Sequence, residues 1–394
     1  MGILSKRVID LPESATLAMA TKARELNSKG IDIINLSIGE PDFSTPDFIK
    51  KSAIESINQN YNGYTPVDGY LELREAICHK LLRDNQLNYA PNQIVVSTGA
   101  KQCIANIMIA LLDPGDQVLL PCPYWVSYSA MSTLNQANWE LIPSSIDSGY
   151  KISADDLSKQ ITSKSKVIIF NSPNNPSGAV YSKEEFQKIS KVLIENSHLY
   201  IISDEIYEHI NYGVPHFSLA SVPELAHRTI VVNGLSKAFA MTGWRLGYMA
   251  GPVEIVAACK KIQGQFTSGT NCIAQRAAIT ALLQPPSEIQ YMVQAFQKRR
   301  DYLIELLSSI PGFKIIKPEG AFYLFPDISD YYGTKIKGKT LNNSQDMAML
   351  LLEHAHVATV SGLPFGQDNS LRLSYAASEE KLEKAVKNIS EILK

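Results

Sequence analysis

The stretch Thr229-Ile-Val-Val-Asn-Gly-Leu-Ser-Lys-Ala-Phe-Ala-Met-Thr-Gly-Trp-Arg-Leu-Gly-Tyr248 sets a strand, a lysine and an arginine close together. Residues 229–232 are a β-branched run, which reads as a buried strand. Lys237 follows in a turn of small residues, so its amine stands at the carboxyl end of that strand. In an open α/β sheet that end is where ligands bind. Arg245 then opens a second apolar run, 246–250. An amine able to form an imine, beside a guanidinium able to hold an anion, suits a phosphorylated aldehyde cofactor. A surface lysine and arginine on a loop would give the same letters, so the decision lies in the rest of the chain.

Outward from this stretch the pattern alternates. Residues 93–97 read as a strand that leads through Gly99 into a helix ending near 112. Residues 117–120, 166–171 and 199–204 repeat the arrangement, the run 166–171 leading through a Pro/Asn loop into a helix from Ser182. Several of these runs are apolar on both faces, as parallel strands between two helix layers are. Before them lie a helix over 15–29, a segment 33–42 containing Gly39 and Pro41, a helix after Pro46, and a turn-rich loop 61–70 with three tyrosines. After Pro285 come a long helix over 289–307 and short strands over 320–325, 357–360 and 370–375. That end reads as a separate α+β layer. The expected division is an N-terminal arm and part of a small domain (1–46), a large α/β domain (47–285) and a C-terminal small domain (286–394).

Composition bounds the function. The 394 residues exceed one compact core, and 45% apolar with 19% charged is ordinary for a globular protein. A net charge of −2 provides no basic field for nucleic acid or anionic membrane. The five cysteines include no C-x-x-C pair and read as reduced, packed thiols. His354 and His356 read as helix-end residues, and no pattern completes a metal site. The opening Met1-Gly-Ile-Leu-Ser-Lys6 has neither a signal-peptide core nor the Ser or Thr that myristoylation wants at Lys6. No apolar run reaches the length of a membrane span, and a cytoplasmic location is expected.

The motifs can then be read as parts of one site. Ser97-Thr-Gly-Ala-Lys-Gln102 carries a strand into a helix, and the free N–H groups at Gly99, Ala100 and Lys101 form an anion site. Asp204 ends an apolar strand, where a buried carboxylate needs a partner such as a pyridinium nitrogen. Tyr207 and Asn175, from the loop Asn171-Ser-Pro-Asn-Asn-Pro-Ser-Gly178, could hold a ring oxygen. Trp125 could stack on the ring, although a core aromatic gives the same signal. Arg372, a charge inside a strand pattern, suits an α-carboxylate, with a structural salt bridge as its bland alternative. Together these point to pyridoxal 5'-phosphate.

The set Gly39, Tyr64-Thr-Pro, Ser97-x-Gly-Ala-Lys, Trp125, Asn-Asn-Pro-Ser-Gly178, Asp204-x-x-Tyr207, Ser-Lys237, Arg245 and Arg372 runs in order over the whole chain. It resembles a class I aminotransferase of fold type I, in the bacterial aspartate and aspartate/prephenate branch. The resemblance implies a mostly parallel seven-stranded sheet flanked by helices, a smaller α+β domain built from both chain ends, and a homodimer with shared active sites. It implies that Lys237 bonds to the cofactor and shuttles a proton. Asp204 would hold the ring nitrogen, Tyr207 and Asn175 the ring oxygen, and Trp125 the ring face. Gly99, Ala100, Lys101 and Arg245 would bind the phosphate, with Tyr64 reaching the phosphate of the neighbouring subunit. Gly39, Asn175, Trp125 and Arg372 would touch the substrate, and Lys101 and Thr16 would face a distal carboxylate.

One departure stands out. Many relatives place a phosphate-binding serine three residues before the lysine, where this chain has Gly234. Ser236 or Ser97 is left to supply that hydroxyl.

The expected activity moves an amino group between aspartate or glutamate and a 2-oxo acid such as 2-oxoglutarate. Prephenate amination, alone or alongside, is the nearest alternative, and a β-lyase or decarboxylase on the same fold is a further one. A transcriptional regulator built on such a domain would need a DNA-binding module for which this chain has no room. The letters Gly333-Thr-Lys-Ile-Lys-Gly-Lys-Thr340 also match the phosphate-binding pattern G-x-x-x-x-G-K-[ST]. That mechanism needs the loop to run from a buried strand straight into a helix. Pro326 and a polar stretch intervene here, so an exposed basic loop is expected. Closure over substrate would move the N-terminal arm and loop 362–366.

Overall fold

The computed structural model describes residues 3–394. The first two residues of the opening segment lie outside it.

The strands of the main sheet are β1 (Ile94–Ser97), β2 (Gln117–Pro121), β3 (Asn138–Ile142), β4 (Ser165–Asn171), β5 (Tyr200–Asp204), β6 (Thr229–Gly234) and β7 (Gly247–Ala250). Their spatial order is β1-β7-β6-β5-β4-β2-β3. Only β7 runs antiparallel to its neighbours, so the carboxyl ends of the other six share one edge. Burial explains why most of them were legible. Residues of β1, β5 and β6 are buried on both faces, except Tyr200 at the start of β5. The sheet matches the seven-stranded, mostly parallel sheet expected of fold type I. The sequence reading gave no strand at β3, an edge strand whose first three residues are exposed.

Helices α1 (Ala15–Ser28), α2 (Leu71–Asn85), α3 (Ala100–Leu111), α4 (Gln290–Ser308) and α5 (Glu379–Leu393) frame the site and its surroundings. The second layer holds a three-stranded antiparallel sheet of β8 (Tyr323–Leu324), β9 (Val360–Ser361) and β10 (Leu371–Ser374), with β10 in the centre. Residues Ile34–Asn35 pair in parallel with Val357–Ala358, so the early chain joins the late chain. The expected strand over 320–325 shortens to β8. Ala321 has a positive φ of 56°, and Gly320 instead bridges to Asn211. The expected strand over 357–360 splits at Thr359 between two sheets. His356 ends its helical segment in a left-handed conformation, as expected of a helix-end residue. Among the described residues no helix is long and apolar enough to cross a membrane.

Candidate active site

Three carboxyl ends of the sheet deliver the central groups. β5 ends in Asp204, buried at 4% exposure. Its Oδ2 accepts a hydrogen bond from the Tyr128 hydroxyl at 2.6 Å, and Oδ1 accepts from the Ile206 amide at 3.3 Å. Among the described residues no cation pairs with it. Burial therefore pushes its carboxyl up to about 6, with the Tyr128 bond opposing. β6 leads to Lys237, whose Nζ donates to the Gly39 carbonyl at 2.6 Å. Burial lowers this amine to about 8, with nearby Glu40 opposing and Arg372 and Arg245 adding to the fall. β4 leads into the loop holding Asn175.

The cup expected to hold the phosphate lies where β1 enters α3. Gly99 caps the helix with φ 89°, and the first helical amides, Ala100 and Lys101, have no preceding turn to accept them. A side chain at Gly99 would collide with the Arg245 guanidinium, which lies against it. A side chain at Gly247 would collide with the Ala100 amide, so that glycine lets β7 lie against the helix start. Lys101 is exposed, and its Nζ lies 4.9 Å from the Trp125 ring centroid.

The substrate side is built from the second layer. Arg372, on β10, is 2% exposed and stacks on Tyr323 and Phe365, with its guanidinium carbon 4.7 and 5.2 Å from the two ring centroids. Nη1 donates to Asn175 Oδ1 at 3.0 Å and Nη2 to the Ser37 carbonyl at 2.6 Å. Nε is buried with no partner. No carboxylate pairs with this guanidinium among the described residues, which removes the structural salt bridge as its explanation.

The geometry thus brings together Lys237, Gly39, Asp204, Tyr207, Asn175 and Arg372 on one side, with Gly99, Ala100, Lys101, Arg245 and Trp125 around the cup. Two expected residues stand apart. Tyr64 is fully exposed and touches nothing in its own chain's site. Thr16, at the second position of α1, is half-buried. Its neighbour Ala15 packs against the cluster containing Phe365.

The Gly234 departure has a steric reason: a Cβ there would lie 2.9 Å from both the Gly247 Cα and the Leu246 carbonyl oxygen. Of the two candidate hydroxyls, Ser97 is committed, donating to Gln263 Oε1 at 2.5 Å. Ser236 is left.

Two residues escaped the sequence reading. Tyr128 holds Asp204 and meets Trp125 edge-on at 5.4 Å. Tyr323 lies 2.8 Å from Tyr207, hydroxyl to hydroxyl, and its hydroxyl fills the space a side chain at Gly39 would need. The spacing Trp125 to Tyr128, one helical turn, was the available signal for the first.

The rival loop 333–340 is not a phosphate-binding loop. Lys335–Ile336 and Lys339–Thr340 pair as a hairpin, turning at Lys337 and Gly338 with φ 49° and 81°. The next helix starts at Ser344. Nucleotide binding there is therefore set aside.

The donor set fits pyridoxal phosphate. The helix start with Arg245 and Lys101 suits a phosphate dianion, and Asp204, buried without a cation, suits a protonated ring nitrogen. Lys237 has the lowered basicity an attacking amine needs.

Comparison with known proteins agrees. The family described as "Aminotransferase class I and II" matches residues 31–389. A bifunctional aspartate aminotransferase and glutamate/aspartate-prephenate aminotransferase of Petunia hybrida is 46% identical, covering 99% of this chain and 82% of the relative. A probable aspartate/prephenate aminotransferase of Rhizobium leguminosarum is 44% identical, covering 99% and 98%. The solved aspartate aminotransferase of Thermus thermophilus with maleate superposes with a TM-score of 0.94 at 39% identity, covering 100% of both chains. This chain belongs to the class I and II aminotransferases, a family that uses pyridoxal phosphate.

Proposed function

We propose that the protein moves an amino group between aspartate, or glutamate, and a 2-oxo acid such as 2-oxoglutarate, in two half-reactions. The observation that carries this is Arg372, a buried guanidinium with no carboxylate partner and an unpaired Nε. Such a fork is complementary to a substrate α-carboxylate. The relatives named for aspartate support the choice of substrate, as does the maleate in the Thermus structure.

When bound, pyridoxal phosphate draws electrons away from the substrate Cα. The chain's residues supply the rest. Arg372 and Asn175 orient the substrate so that its Cα–H faces Lys237. With the cofactor bound, Lys237 Nζ would take that proton and return it at the cofactor's aldehyde-derived carbon, a role that suits an amine lowered to about 8. Asp204 would keep a proton on the ring nitrogen, and Tyr207, steadied by Tyr323, would donate to the ring oxygen. Ser236 would join Gly99, Ala100, Lys101 and Arg245 in holding the phosphate, and Trp125 would cover the ring. Gly39, where a Cβ would meet the Tyr323 hydroxyl at 2.6 Å, would bring its backbone to the substrate.

A second reading adds prephenate as amino acceptor, supported by the bifunctional Petunia relative. Lys101 and Thr16 would then face the distal carboxylate. The proposed assembly is a cytoplasmic homodimer in which the exposed Tyr64 reaches the partner's phosphate site. The proposed domains are 47–285 and a smaller one from 1–46 with 286–394.

Arg372→Ala tests the carrying observation. Affinity for aspartate should fall about a hundredfold, as loss of a charge-assisted pair implies, while cofactor affinity holds. Unchanged aspartate affinity would move the carboxylate site elsewhere.

A further inference from the structure

Asp204, the last residue of β5, and Tyr207, in the loop after it, face the site. Their sequence neighbours Glu205 and Glu208 are also buried, and each is held by groups outside the site. Glu205 accepts from the hydroxyls of Ser203 and Ser218 at 2.7 and 2.5 Å, with His216 Nε2 at 3.0 Å. Glu208 is paired with Lys80 of α2, a lysine only 1% exposed. Glu208 also accepts from Asn85 at 2.7 Å and from Asn233 at 2.8 Å. Glu205, Glu208 and His216 are close enough together for a cation site by residue type. Their carboxylate oxygens are already occupied by protein donors, and the Lys80 ammonium supplies the positive charge.

Asn233 connects this cluster to the chemistry. It lies near the end of β6, and its Oδ1 accepts from the Gly234 amide at 2.7 Å. Three residues further on, the same chain reaches Lys237. The Glu205 amide donates to the Val232 carbonyl at 2.9 Å, which ties the loop to β6 a second time.

We propose that Glu208 is a positioning residue: held by Lys80 and holding Asn233, it fixes the end of β5 and the loop after it, which carry Asp204 and Tyr207, relative to the strand that leads to Lys237. The three groups come from two neighbouring strands, and the pairing of β5 with β6 sets Asp204 opposite Val232. The Glu208 clamp adds a side-chain tie behind that pairing, from the loop carrying Tyr207 to Asn233. A buried ion pair is a poor source of net stability compared with apolar packing, so the role inferred for this one is to hold one geometry. Misplacement of reacting groups by about 1 Å can cost about a hundredfold in rate.

The inference rests on the reading of Asp204, Tyr207 and Lys237 as cofactor contacts. Two variants test it. Asn233→Ala cuts the link to β6 and leaves the ion pair intact. Lys80→Met with Glu208→Leu removes both charges together, so no buried charge is left unpaired. In each, three quantities are measured: cofactor affinity by titrating the apoprotein, the pH midpoint of the bound cofactor's visible absorbance, and kcat beside KM for aspartate. The expected result in at least one folded variant is a kcat at least about tenfold lower, a KM within twofold of wild type and a shifted midpoint. Wild-type kcat and midpoint in both folded variants would overturn the proposal. Wild-type protein that takes up no cofactor would instead overturn the reading beneath it.

Discussion

Replacing Asp204 by Asn should stabilise the apoprotein at neutral pH and damage the enzyme. In the folded chain the carboxyl of Asp204 is raised from 3.8 to about 6, first by burial. The folded state therefore binds this proton more tightly than the unfolded chain does. The stability this lends is fully present below pH 3.8 and is lost as pH rises through about 6. Two pH units at about 1.4 kcal/mol each make the loss about 3 kcal/mol. Asp204→Asn cannot ionise and escapes that cost. Urea unfolding of both apoproteins should show the variant gaining on wild type by about 2 kcal/mol between pH 4.5 and pH 8, since about 1 kcal/mol is already lost at the lower pH. Added pyridoxal phosphate should reverse the order, because only the carboxylate pairs with a protonated ring nitrogen. A stability gap that does not widen with pH would refute the reasoning, because Asp204 would then not be a carboxylate kept without a cation in the apoprotein.

Other outcomes follow from the same geometry. Lys237→Ala should lose transamination and the visible absorbance of bound cofactor together, and retained turnover would refute the assignment. Because the wild-type amine is lowered to about 8, covalent capture of pyridoxal phosphate by the apoprotein should accelerate as pH rises through about 8. Stopped-flow absorbance would follow it. Lys101→Ala should weaken pyridoxal phosphate binding about tenfold in a titration of the apoprotein. Unchanged cofactor affinity with a raised KM for aspartate would instead place Lys101 at the substrate's distal carboxylate.

The core of the sheet and most of the candidate site were legible because their signals are local. A strand buried on both faces is a continuous apolar run, and Lys237, Asp204 and Arg372 are charges out of keeping with their surroundings. Residues without such contrast were hidden. Edge strand β3 exposes Trp139 and Glu140 and has no apolar run to mark it. Tyr128 and Tyr323 look like core aromatics in the sequence, and only the fold brings their hydroxyls to Asp204 and Tyr207. Lys80 reads as a solvated helix residue until Glu208, far along the chain, is packed against it. The short strands of the second layer were misjudged because a positive φ at Ala321 and the change of sheet at Thr359 are not written in hydrophobic periodicity.

The most direct test of the central claim is the visible absorbance of the purified protein loaded with pyridoxal phosphate, recorded before and after aspartate and then 2-oxoglutarate. The account predicts a cofactor band that aspartate bleaches and 2-oxoglutarate restores, which is both half-reactions seen in one cuvette. Restoration by prephenate as well would add the second acceptor. A protein that takes up no cofactor, or whose band aspartate leaves untouched, would contradict it.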